Sequence, residues 1–330
     1  MKYQGEALCF DDVLLTPGLT DVRSRKDVDL TMSHKNISLS LPIFSAPMDS
    51  ITGFDMVLTM REAGGMAVLP RSGINQSQVF IQLITALDFH DFFYSVSSGV
   101  TSADFEEIEW LRDRHHKFIC VEVAHGGNAQ TINKVKVLRD MYPEVTIMSG
   151  NVATYDEFKS LSDAGADFIR VGIGGGSACT TRIQTGHGVP TLQSILDVFE
   201  KRNKTDAAII ADGGIRSSGD AAKAFAAGAQ FVMLGGSLAG TSSCNTIRDS
   251  NGEMQFRGMA SAEHTTSVEG TSFSITEQGE TMAVLGSFEK GLQSACSYGG
   301  VYALEQLCDE AEYRKVTPNC IKENGAHYND

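Results

Sequence analysis

Nowhere does the chain hold the roughly 20 consecutive apolar residues that a membrane helix needs, which excludes a helical membrane span. Basic residues are scarce, with 27 Lys and Arg against 41 Asp and Glu and a net charge of -14. That balance excludes general affinity for a nucleic-acid backbone, which requires a basic surface. Any phosphate bound here must be held locally, by backbone amides more than by bulk charge. The seven cysteines, at 9, 120, 179, 244, 296, 308 and 320, form no CxxC pair and no Cys/His cluster at metal-ligand spacing, which argues against a structural zinc site. Residues 1–6 lack the basic-then-apolar start of a signal peptide, so we expect a cytoplasmic protein with reduced thiols.

What is present is an ordinary core-forming composition, 42% hydrophobic and 21% charged, over 330 residues, a length that suits one large domain as well as two. Eight short apolar runs recur, at 41–48, 65–69, 92–96, 118–124, 146–152, 168–174, 207–212 and 231–235. They are near-continuously hydrophobic, as in "AAIIADGG" and "FVMLGG", the pattern of strands buried on both faces of a parallel sheet. Three connecting segments end in Ala63-Gly64-Gly65, Ala164-Gly165-Ala166 and Ala227-Gly228-Ala229, each just before an apolar run. Glycine there closes a helix in the left-handed conformation, so these read as helix-to-strand joints. The sequence therefore predicts a single (β/α)8 TIM barrel in preference to an open doubly wound sheet.

Chemistry in such a barrel gathers at the C-terminal ends of the strands. "GIGGGS" at 172–177 and "MLGGS" at 233–237 both follow apolar runs and offer exposed amides and a serine, with Asp212-Gly213-Gly214 between them. Glycine lets backbone N–H groups converge on an anion, so together these read as a phosphate cradle. Cys179 follows the first glycine run, where a packing cysteine would be out of place. Amide dipoles or Arg182 could favour its thiolate, and Thr181 can place a hydroxyl at the same reacting centre. Cys120, in "FICVEVA", reads as an inert core thiol. Asp212, at a strand end, suits the vicinal hydroxyls of a ribose, or a salt bridge with Arg216. His125 and His187 read as structural. Residues 241–285 have little apolar periodicity and are expected to form a mobile flap over the same face.

In order along the chain, "FDDVLLTP", "SAPMDS", "GNVAT", "GSACTTRIQTGHGVP", "IIADGGIRSSGDAAKAFAAGA", "FVMLGGSLAGT" and "FRGMAS" resemble segments of the IMP dehydrogenase and GMP reductase family. The resemblance covers nearly the whole length and implies a barrel that works on a purine nucleoside monophosphate with a nicotinamide cofactor, through a bond between cysteine and purine C2. Residues 70–100 leave no room for the regulatory modules that dehydrogenases usually insert, and residues 262–278 resemble the short reductase flap. "YSVSSGVTSADFE", "SITGF" and "LQSACSYGG" are likewise similar to reductase segments. The implied reaction is reductive deamination of GMP to IMP with NADPH, NADH being an alternative donor, with Cys179 as nucleophile and Thr181 and a flap carboxylate aiding the departure of ammonia.

The same resemblance implies that Ser177, Gly214, Gly235 and Gly236 hold the phosphate, with Asp212 on the ribose, Met259, Ala260 and Ser261 on the base, and Met48 and Gly213 among the substrate-binding residues. It implies Arg71, Glu122, Ala124, Asn151 and Gly172 for the nicotinamide side, and backbone carbonyls of Gly174, Gly176 and Cys179 for potassium or another monovalent cation. A homotetramer is implied as well. The chain departs from the family pattern at Gly175, Glu122 and Pro70, where the family has proline, aspartate and histidine. It departs again in "TSFSITEQGET", where anchoring on Gly279 puts Gln278 at the family's glutamate and a shift of one residue puts Glu277 there. These departures keep dGMP or a modified purine nucleotide open as substrate. An IMP dehydrogenase using NAD and a catalytically silent nucleotide-binding barrel are the other readings.

Overall fold

Each apolar run that the sequence marks as a strand supplies side chains with almost no solvent exposure, as parallel strands covered on both faces require. The computed structural model describes residues 2–71, 94–100, 117–258 and 269–320. Three short strands come first, β1 (Val13–Thr16), β2 (Met32–His34) and β3 (Ile37–Leu39). The barrel strands follow as β4 (Ile43–Ser45), β5 (Met66–Leu69), β6 (Tyr94–Ser98), β7 (Phe118–Glu122), β8 (Thr146–Val152), β9 (Phe168–Val171), β10 (Ala208–Asp212) and β11 (Phe231–Leu234). They pair in parallel in chain order, and β11 closes onto β4 with Val232 beside Ile43 and Leu234 beside Ser45. The molecule is a single (β/α)8 barrel.

Helices between the strands are placed by their ends. Among the described residues, α1 (Phe54–Glu62) follows β4, α2 (Ala129–Met141) follows β7 and α3 (Tyr155–Asp163) follows β8. The short α4 (Thr181–Thr185) and then α5 (Thr191–Lys201) follow β9, and α6 (Ser218–Ala226) follows β10. Asn128, Thr154 and Ser217 each accept a backbone N–H of the first turn they precede, satisfying donors a helix start leaves unpaired. Glu157 completes a capping box on α3 by accepting from the Thr154 and Ala153 N–H groups. The three expected joints occur as read: Gly64, Gly165 and Gly228 have φ of +81°, +107° and +105° and link α1, α3 and α6 to the following strands. At Gly228 a Cβ would also stand 2.1 Å from the Phe199 ring, so space and backbone both demand glycine.

The barrel is floored by four phenylalanines, Phe44, Phe118, Phe168 and Phe231, all fully buried. Phe168 sits at their centre, with ring centroids 5.4 Å from Phe231, 5.6 Å from Phe118 and 6.3 Å from Phe44. The antiparallel β2–β3 hairpin reaches this floor from the N-terminal end, His34 meeting the Phe168 ring edge-on at 5.1 Å. The opposite end of the barrel is left for chemistry. Phe168→Ala is expected to lose about 3–5 kcal/mol of stability because so interlocked a cluster cannot collapse into the space; a urea titration of both proteins measures it.

The sequence reading differs from the fold in two places. The run at 168–174 stops being strand at Val171, because Gly172 and Gly174 take φ of +144° and +84° and turn the chain toward the site. The expected flap, 241–285, is more regular than its sequence suggests. It contains an antiparallel sheet of β12 (Ile247–Arg248), β13 (Met254–Arg257) and β14 (Ser272–Ser274), and a long helix, α7 (Thr281–Gly299), begins inside it. Strands this short carry too few alternations to register as a pattern, although Phe256 and Phe273 stack edge-on across them at 5.3 Å. The last elements among the described residues are α8 (Leu307–Glu310) and β15 (Glu312–Lys315), which pairs antiparallel with β1.

Candidate active site

At the C-terminal end of the barrel the loops after β9, β10 and β11 meet around a cavity of about 370 Å3, a size suited to a small organic ligand. Glycine makes the meeting possible. A Cβ on Gly172 would stand 2.0 Å from the Asp212 carbonyl oxygen, and one on Gly236 would stand 2.8 Å from Ser177 Oγ. The backbones after β9, β10 and β11 therefore approach more closely than side chains would allow. Ser177, Gly213, Gly214, Gly235 and Gly236, expected as a phosphate cradle, all line the cavity, together with Met48 and with Ser237, the serine of "MLGGS".

Cys179 stands on the rim of the same cavity, half-buried. Its N–H donates to the Gly176 carbonyl at 3.1 Å, and its thiol donates to Thr181 Oγ1 at 3.1 Å. Thr181 opens α4, which fixes its position relative to the cysteine. Arg182 does not join them; it donates to the Val189 carbonyl at 3.2 Å, and its side chain packs beside Gly174 and Gly188. Cys120 is inside the barrel, where burial pushes its thiol up to about 11, so it is protonated at neutral pH.

The segment after β13 returns to the nucleophile loop. The Thr180 N–H donates to the Glu269 carbonyl at 2.8 Å and the Thr271 N–H to the Ala178 carbonyl at 3.0 Å, placing Gly270 opposite Cys179 as in a strand pair. Glu269 and Gly270 thereby line the cavity. Glu277 and Gln278 do not. Glu277 is exposed, and Gln278 lines a neighbouring cavity of about 560 Å3, its N–H bonded to the Gly240 carbonyl and its amide nitrogen within 3.5 Å of Thr276. The sequence holds a signal for Glu269, an acidic residue followed by glycine in "SVEGTS", which anchoring on Gly279 passes over.

Asp212 is paired, with a different partner from the one expected. Arg216 goes to Asp11 at 2.6 Å and to Asp220 at 3.1 Å, both near its own helix start. Arg170, on β9, takes Asp212 instead, with Nε and Nη2 at 2.9 and 2.8 Å from Oδ2. Asn151 donates to that oxygen at 2.7 Å and to the Gly172 carbonyl at 2.9 Å. Glu122 lies on the other side of Arg170, Oε1 3.7 Å from Nη1, and its Oε2 is 3.3 Å from Arg71 Nε. Burial acts against the Arg170 charge, but Asp212, Cys120 and Glu122 outweigh it and hold the guanidinium more firmly protonated than usual. Glu122, Ala124, Asn151 and Gly172 line this end of the cavity.

Gly174, Gly176 and Cys179, expected to offer carbonyls to a cation, all line the cavity. His125 and His187 do not line the cavity: His125 Nε2 is 2.8 Å from Glu157 Oε1, and His187 Nδ1 is 2.9 Å from the Thr185 carbonyl oxygen. Met259, Ala260 and Ser261 lie outside the described residues.

Cys179, Thr181 and Glu269 line one cavity ringed by glycine loops, on a barrel whose sequence matches, over residues 7–327, the family described as IMP dehydrogenase / GMP reductase domain. The chain belongs to the IMP dehydrogenase / GMP reductase family. Its relatives include human GMP reductase 2, 36% identical over 94% of both chains. Mouse GMP reductase 1 is 35% identical over 94% of this chain and 95% of its own, and the GMP reductase of Klebsiella pneumoniae is 33% identical over 94% of both. Among the described residues no helix is long and apolar enough to cross a membrane, as the sequence implies.

Proposed function

We propose that the protein is a GMP reductase-like oxidoreductase that converts GMP, or its deoxy or base-modified relative, to the corresponding inosine nucleotide with NADPH and releases ammonia. The observation that carries this is the 3.1 Å contact between the Cys179 thiol and Thr181, in the cavity that Glu269 also lines. The phosphate is held by amides after β9, β10 and β11 with Ser177, and the ribose hydroxyls by Asp212. Cys179 passes its proton through Thr181 to Glu269 as its sulfur bonds to C2 of the purine. The 2-amino group departs as ammonia, taking a proton delivered through Thr181 from Glu269. Covalent capture divides one hard displacement into two easier steps, and the positioned acid makes the amine a leaving group.

The polar groups at the other end of the cavity suit a nicotinamide. Glu122 offers a carboxylate to a carboxamide N–H, Asn151 an amide, and Ala124 and Gly172 a surface without bulk, with Arg71 behind Glu122. Bound there, the cofactor would supply the hydride that replaces sulfur at C2. Carbonyls of Gly174, Gly176 and Cys179 are the ligands we assign to a monovalent cation, and the reading carries with it a cytoplasmic homotetramer.

The test is nicotinamide absorbance on purified protein. Loss of absorbance with NADPH and GMP or dGMP, with one ammonia formed per cofactor oxidised, is the expected result and identifies the sugar. Gain of absorbance with IMP and NAD would make the protein a dehydrogenase instead. Silence in every combination would overturn the reading in favour of a binding-only barrel or another purine.

A further inference from the structure

We propose that Arg170 is a positioning residue that sets recognition of the nucleotide's sugar by locking the Asp212 carboxylate; this rests on the cavity being a purine nucleotide site. The side chain of Arg170 is 6% exposed, and that of Asp212 is 14% exposed. A charge so deeply placed must be matched by partners, and Arg170 is matched on every arm. Nε and Nη2 both hold Asp212 Oδ2, while Nη1 faces Glu122 Oε1 at 3.7 Å and Cys120 Sγ at 3.9 Å. Room for the side chain is built into the neighbouring strand, where a Cβ on Gly150 would stand 2.7 Å from that of Arg170.

Arg170 and Asn151 give Oδ2 three contacts within 2.9 Å, and among the described residues none donates to Oδ1. The carboxylate is thus fixed in rotation, with one oxygen spent on the protein and one left to accept hydroxyl hydrogens. Arginine is needed because its rigid fork spans two carboxylates at once, whereas lysine offers a point charge on a flexible stem. Glu122, tied in turn to Arg71, holds the fork from the far side, so the sugar end and the nicotinamide end share one guanidinium.

The experiment is calorimetric titration of wild type, Arg170→Lys, Asp212→Asn and the double variant with GMP and with 2′,3′-dideoxy-GMP, with thermal unfolding of each as a check that it folds. The expected result is that Arg170→Lys weakens GMP by about 10-fold or more, the scale of a hydrogen bond to a charged group, and leaves the dideoxy nucleotide within about 2-fold. Asp212→Asn should do the same, and the double variant should be no worse than Asp212→Asn alone. In turnover the loss should fall on KM for GMP more than on kcat. Equal weakening of both nucleotides, or additive losses in the double variant, would overturn the inference and leave the nucleotide site standing. Wild type that binds neither nucleotide would overturn the functional reading and this inference with it.

Discussion

Cys179→Ala protein should bind GMP about as well as wild type and turn it over slower by a factor on the order of 10^4 or more, since removal of a nucleophile leaves only binding and positioning. Binding is expected to survive because Asp212 ends β10 and the proposed phosphate cradle draws on the loops after β10 and β11 as well as the one that carries Cys179, and the side chain lost makes one hydrogen bond, to Thr181 Oγ1. Among the described residues no other cysteine lines the cavity. Cys120 is sealed in the barrel with its thiol raised to about 11, and burial pushes Cys296, on the inner face of α7, up to about 12. Two measurements check this: single-turnover kinetics with GMP and NADPH, and mass spectrometry after brief alkylation. The second should find a label on Cys179 that GMP blocks, and none on Cys120. Turnover undiminished in the alanine variant would remove covalent capture from the mechanism.

The barrel was legible because a parallel strand buried on both faces writes itself as an uninterrupted apolar run, and because helix-to-strand joints demand glycine. Gly64, Gly165 and Gly228, all at positive φ, are where those demands met. The close meeting of the loops was legible for the same reason: Gly172 and Gly236 stand where a Cβ has no room, a constraint that survives in one sequence without comparison. What sequence hid were the pairings between distant segments. Nothing local says that Asp212 takes Arg170 while Arg216 takes Asp11 and Asp220, because each carboxylate and each guanidinium looks alike along the chain. The flap was harder still. Spacing from Gly279 directed attention to Glu277 and Gln278, whereas the element that reaches the cysteine does so through main-chain bonds from Thr180 and Thr271, which any sequence can make.

That difference sets the second large effect. Glu269→Gln should lower kcat by about 10^2- to 10^3-fold with little change in KM for GMP, the range expected when a proton donor to a leaving group is replaced by an isosteric amide. The amide keeps the shape and the backbone bond from Thr180, so the loop should close as before, and what is lost is the transferable proton. Glu277→Gln and Gln278→Ala should each stay within about 2-fold of wild type, since the first residue is exposed and the second turns back onto Thr276 beside a different cavity. Rate measurements on the three variants with GMP and NADPH, repeated with a purine bearing a better leaving group than ammonia at C2, separate the cases. A better leaving group needs less protonation and should rescue Glu269→Gln but not Cys179→Ala. A Gln278 variant as impaired as Glu269→Gln would mean that the segment ending at Gly279 swings into the cavity during turnover, and would return the proton step to it.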